Sequence, residues 1–234
     1  MSADQPKDET DDFAAYLEPG ATVESSHPDI VAFAETAAGD AATPKQTAIN
    51  LYYAVRDQIR YNPYISAIEV EAFRASKTLA DKEGYCVAKA ILLAAVCRAR
   101  GIPARLGFAD VRNHLSTEKM RQRMQTDQFY WHGYTDIYLD GRWVKATPAF
   151  NVELCEKFRL RPLEFDGAED SIYHPFDVAG SRHMEYLKFR GVFAEPPLEQ
   201  IHATFVREYA HWRNRTAAPI RDFTAEVEED LGAG

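Results

Sequence analysis

Cys86 is the residue whose surroundings most suggest chemistry. It lies in "DKEGYCVAKAILLAAVCRARGIPARLGFADV" (81–111), two residues past Gly84 and at the mouth of a long apolar run. A cysteine there can be a small buried hydrophobe, half of a disulfide, a metal ligand or a nucleophile. The nucleophile reading rests on the start of the helix, where unpaired backbone N–H groups and the dipole's positive end favour a thiolate. The same N–H groups can hold an oxyanion, and Gly84 lets the backbone turn and leaves room for a substrate.

The other cysteines are Cys97 and Cys155. Cys86 and Cys97 stand eleven residues apart on one expected helix, about 16 Å at the α-helical rise. A disulfide requires Cα atoms within about 7 Å, so these two cannot pair while the helix stands. There is no CxxC and no zinc or iron–sulfur spacing. No metal or cofactor is therefore expected.

A thiol nucleophile needs a base. The histidines are His27, His114, His132, His174, His183, His202 and His211. His132 is the one on a regular, alternating strand, where a rigid element would fix its ring. Alternation places His132, Tyr134 and Asp136 on one face, but four residues of strand put Asp136 about 13 Å away. It is a poor partner for the imidazole.

The elements that would position this pair are legible. A helix is expected from Pro28 through "IVAFAETAAG". A second, "TPKQTAINLYYAVRDQIRY", has a Thr-Pro start and a buried side of Ile49, Tyr52, Tyr53, Val55 and Ile59; Asn62-Pro63 ends it. Positions 87–97 are apolar all round except for Lys89, the mark of a helix buried on most sides. "ARLGFADV" reads as a strand, and "FYWHGYTDIYLDGRWVKATPAFN" as a hairpin around Asp140-Gly141. "FAAYLEP" suggests a short strand or extended arm, "STEKMRQRMQTD" a helical surface excursion, and "PLEQIHATFVREYAHWRN" a closing helix presenting Ile201, Phe205 and Trp212. The stretch 155–195 gives no clear assignment. Helices first, then an antiparallel sheet, then a closing helix make the class α+β.

The chain's 234 residues, 46% hydrophobic and 12% aromatic, suffice for one substantial core. The net charge of −9 is concentrated at the ends, so residues 1–11 and 222–234 are expected to be solvated acidic tails around a single domain, 12–221. Within it, 45–151 holds the motif core and 152–221 accessory loops and the closing helix. No basic stripe suggests nucleic acid, and no apolar run suits a bilayer. Without a secretory signal, a cytoplasmic location is the expectation.

"GYCVAKAILLAAVCRARGIPAR" resembles the nucleophile segment of the transglutaminase-like superfamily, in which Gly-x-Cys opens a buried helix ending in a Gly-Ile-Pro-Ala-Arg type turn. "HGYTDIYLDGRWVKATP" resembles that family's histidine strand, turn and Trp-bearing strand, and "LYYAVRDQIRYNPY" the helix before the cysteine. The resemblance covers roughly residues 13–150. It implies a papain-like architecture, a cysteine helix packed on an antiparallel sheet that carries the histidine. It also implies acyl transfer, with Cys86 as nucleophile and His132 as base. An amide, peptide or thioester substrate would give an acyl-enzyme, released to water or to an amine.

The third catalytic position departs from the family pattern. The aspartate usual four residues after the strand tryptophan is here Thr147, counted from Trp143. Its hydroxyl can accept the imidazole N–H but carries no charge. Asn151 is the alternative, since an amide can orient the ring. A non-catalytic binding module on the same fold is the competing expectation. Gly84, Tyr85, Tyr61 and Trp131 are candidate substrate-binding residues, with Tyr64 beside them. Lys89, one turn past Cys86, would favour a thiolate if it faced the sulfur; otherwise it is a helix-end charge seeking a carboxylate. The segments 165–177 and 181–191 follow no metal-loop pattern and are expected to be turns, with a cleft wall as the functional alternative.

Overall fold

The computed structural model describes residues 13–64, 68–113, 118–172, 184–209 and 223–232. Its centre is helix α5, Cys86–Ala99, whose side chains are buried from Cys86 through Arg98. A helix with no polar face must be covered on all sides. α1 (Pro28–Ala38), α2 (Pro44–Gln58) and α4 (Ala75–Asp81), which follows the single-turn α3 (Val70–Phe73), pack on it, and the sheet supplies the other wall. Thr43 starts α2 as expected: its hydroxyl accepts the Gln46 N–H at 3.1 Å, and Pro44 fills the first turn. α2 ends at Gln58, before the Asn62-Pro63 stop, because Arg60–Tyr61 (β1) pairs in parallel with Glu83–Gly84 (β2).

The sheet has four antiparallel strands in the order β5-β4-β3-β6. They are β3 (Ala104–Asn113), β4 (Gln128–Leu139), β5 (Arg142–Ala146) and β6 (Met184–Phe193). The β4–β5 hairpin turns at Asp140 and Gly141, both at positive φ (50° and 86°), as a two-residue Asp-Gly loop requires. β6, in the stretch the sequence left unassigned, pairs with β3 along its length. The α+β class and the papain-like arrangement are both present.

Other differences have physical causes. Phe13–Tyr16 is a single 3-10 turn rather than a strand or arm; Phe13 stacks on Trp143, with ring centroids 5.9 Å apart. α6 (Glu118–Met124) is no mere surface excursion, since Met120 and Met124 are buried. α7 (Val152–Lys157) carries Cys155, which is buried and in no disulfide, as is Cys97. α8 (Leu198–Glu208) buries Ile201 and Phe205; Trp212 lies outside the described residues. Within the expected acidic tail, Phe223–Gly232 forms a helix, α9, that buries Phe223 and Val227. Glu228 of α9 meets Lys157 at 2.7 Å, Glu229 pairs with Lys119, and Glu226 accepts from the Tyr64 hydroxyl. Buried Phe223 and Val227, with Glu226 buried among them and Glu228 and Glu229 paired to lysines, dock this helix rather than leave it solvated. The tail 1–11 and His114, His174, His183 and His211 also lie outside the described residues. Among the described residues no helix is long and apolar enough to cross a membrane.

Lys89 does not face the sulfur, nor does it meet a carboxylate. It is fully buried, and its Nζ donates to the carbonyls of Ile59 at 2.5 Å and Arg56 at 2.9 Å. These are open carbonyls at the end of α2, so the lysine caps one core helix from within its neighbour. Burial lowers its pKa to about 7.

Candidate active site

Cys86 begins α5 directly after the short β2 strand. Tyr61 pairs with Gly84 across β1–β2, so this ribbon sets the floor before the nucleophile. The Asn151 side chain accepts the Tyr61 backbone N–H at 3.2 Å. Asn151 thus braces β1 and is absent from the lining of the cavities beside Cys86.

On the sheet side, β4 carries an irregularity. Ala109 pairs with His132 and Val111 with Phe129, so three steps on β4 match two on β3. Trp131 absorbs the extra residue at φ 59°, a conformation uncommon for a bulky residue. Such a bulge re-aims the side chains around it, and His132 follows it immediately. Beyond it the alternation is regular. The Thr135 hydroxyl donates to Ala90 O of α5 at 2.8 Å, whereas Asp136 turns to Arg105 at 3.0 Å. Gly133 faces α5 so closely that a Cβ there would sit 3.0 Å from the Val87 Cα. Any larger residue would push strand and helix start apart by a few tenths of an ångström.

Cys86 and His132 border two cavities together. One is lined chiefly by rings and methionines: Tyr61, Tyr85, Phe129, Tyr209, Met120 and Met124, with Arg123 the charged member. The other includes Tyr61, Thr147 and Phe150. The backbone N–H groups of Gly133, Val87 and Cys86 itself act on the sulfur and lower its pKa, but burial outweighs them and pushes the thiol up to about 11. The helix start was expected to favour a thiolate; desolvation reverses the outcome in this water-poor pocket. Burial alone lowers His132 to about 4. Both shifts favour the uncharged forms, a thiol at Cys86 and an imidazole at His132.

Among the described residues His132 Nε2 has no hydrogen-bond partner, and neither does the Thr147 hydroxyl, although both are buried. Thr147 therefore borders the cavity without accepting from the ring. Trp131 does not line either cavity. It packs in the core, its Nε1 donating to Thr204 at 3.0 Å while the Arg190 guanidinium lies 5.1 Å from its ring. Tyr85, Tyr61 and Tyr64 all line the aromatic cavity, while Gly84 borders a separate, more polar hollow that Tyr85 and Tyr64 also line. Sequence reasoning missed Met120, Arg123, Phe129, Phe205 and Tyr209. The methionine pair at i, i+4 of a polar helix was the available signal. Among the described residues no cluster of His, Cys, Asp or Glu could hold a metal.

A buried cysteine helix, seated on an antiparallel sheet whose second strand brings a histidine to the helix start, defines a papain-like α+β protein. The family model for the transglutaminase-like superfamily matches residues 31–148, and the chain belongs to that superfamily. No curated protein matches it. Among solved structures it is similar to a candidate cysteine protease from Cytophaga hutchinsonii at 16% identity and TM-score 0.47, covering 80% of this chain and 55% of that one. It is also similar to a candidate protease from Parabacteroides distasonis ATCC 8503 at 14% identity and TM-score 0.38, covering 57% and 25%. The chain thus spans about half or less of either protein's length.

Proposed function

We propose that the protein is a thiol enzyme that transfers or hydrolyses acyl groups of amide or peptide-type substrates through a Cys86 acyl-enzyme. The observation that carries this reading is the meeting of helix start and strand. The Cys86 sulfur lies against the Gly133 N–H, while the adjacent His132 borders the same cavities with Nε2 unengaged. Because both groups rest neutral, His132 acts as a general base during attack rather than holding a preformed thiolate. The Sγ–carbon bond forms as the proton passes to Nε2, and the leaving group departs with that proton. Water or an amine then releases the acyl group by the reverse path. Catalytic hydrogen bonds often tighten only with substrate bound, which accommodates the unbonded Nε2.

The test is acylation by p-nitrophenyl acetate, read as a burst of p-nitrophenolate and as an acetyl group on Cys86 by mass spectrometry. Cys86→Ala should abolish the burst and His132→Ala should slow it by about 10²- to 10⁴-fold. Full turnover in Cys86→Ala would overturn the proposal. A peptide amide against a carrier-bound acyl thioester then separates peptidase from acyltransferase. The unbonded Thr147 favours a second reading, a binding module that has lost turnover; absence of any acetyl on Cys86 would support it.

A further inference from the structure

Phenols from three separate elements surround the Cys86 sulfur. Tyr61 on β1, Tyr85 just before α5 and Tyr209 just after α8 line one cavity with it. Tyr209 has a visible task, its hydroxyl oxygen accepting the Tyr130 N–H at 2.8 Å. Tyr61 packs edge-on against Phe150 at 4.8 Å and Phe223 at 5.8 Å. Tyr85 differs. It is 8% exposed and its ring meets Phe73 edge-on at 5.7 Å, yet among the described residues its hydroxyl has no hydrogen-bond partner.

A buried donor left unmet costs stability, so folds rarely keep one without a use. Phenylalanine would fill the same space against Phe73 without that cost. Among the described residues nothing accepts from this hydroxyl, which leaves it available to an acceptor that enters the cavity. Tyr85 is the N-cap residue of α5 and makes no side-chain cap bond, so helix capping does not explain it. Tyr85 lines two cavities, and one of them is the cavity that Cys86 and His132 border.

We infer that the Tyr85 hydroxyl donates a hydrogen bond to the oxyanion formed when Cys86 is acylated. This inference rests on the acyl-enzyme reading above and adds a catalytic residue to it. In the step, the Sγ–carbon bond forms, the carbonyl π pair moves onto oxygen, and the Sγ proton passes to His132. The Tyr85 O–H binds the new oxyanion and keeps its own proton. Collapse restores the carbonyl and breaks the bond to the leaving group. Burial holds the phenol well above its usual pKa, so it remains a donor throughout the neutral range.

Tyr85→Phe tests this with p-nitrophenyl acetate as the acyl donor. The acylation rate should fall by about 10²-fold, the loss typical of a missing oxyanion donor. KM should hold, and the melting temperature should stay level or rise, since no existing bond is removed. Acylation of Cys86 at the wild-type rate in Tyr85→Phe would overturn this inference alone. A clear drop in melting temperature would also overturn it, by showing that the hydroxyl is bonded within the fold. A wild-type protein that acquires no acetyl on Cys86 removes the underlying acyl-enzyme reading and this inference with it.

Discussion

The rate at which Cys86 reacts with iodoacetamide tests the neutral resting pair directly. Burial moves the thiol from 9.0 to about 11, about 3 kcal/mol against the thiolate. At pH 7 the thiolate fraction then falls from about one in 10² to one in 10⁴. A more basic thiolate is intrinsically more nucleophilic, with a Brønsted slope of about 0.4–0.5, which returns about 6- to 10-fold. The net expectation is labelling at least about tenfold slower than a free thiol, before any steric hindrance. The rate should also climb about tenfold per pH unit from 6 to 10 with no plateau. Labelling is read at Cys86 by mass spectrometry, with Cys97 and Cys155 slower still because burial pushes both to about 12. His132→Ala should leave the slope unchanged, since no ion pair is there to lose. A flat profile between pH 5 and 8, faster than a free thiol, would refute this reasoning; it would mean that the imidazolium and the helix start together overcome desolvation.

Two further outcomes follow from buried groups. Thr147→Asp would place a carboxylate on the His132 side of the cavity, where a nearby opposite charge raises an imidazole by about 1–3 units; labelling of Cys86 below pH 7 should quicken, at some cost in melting temperature from the buried charge. Burial holds the folded Lys89 at about 7, against the ordinary 10.5 of an exposed lysine, so between these values the unfolded chain binds the extra proton and stability rises with pH, by up to about 1.4 kcal/mol per unit. Urea unfolding of the wild type from pH 7 to 8.5 should show that rise, and Lys89→Met should flatten it while losing stability from the uncapped Arg56 and Ile59 carbonyls.

Local patterning alone determined much of this protein. Thr43-Pro44, the all-round apolar stretch after Cys86 and the Asp140-Gly141 turn are short-range signals, and each produced its element close to the expected boundaries. The same stretches singled out Cys86 and His132, because a glycine-led helix start and an alternating strand are readable without knowing what they touch. The β4 bulge is another matter, since it exists only in register with β3. The role of Lys89 depends on which helix end packs beside it, and Asn151 acts through a strand ninety residues earlier. α6 and α9 carry few apolar residues, so their inward faces emerge only once the cavity and its basic neighbours are assembled. Above all, the protonation of the pair was a tertiary decision. The helix start that sequence reveals favours a thiolate, but only the packed pocket fixes how much water remains to solvate one, and here that loss is the larger effect.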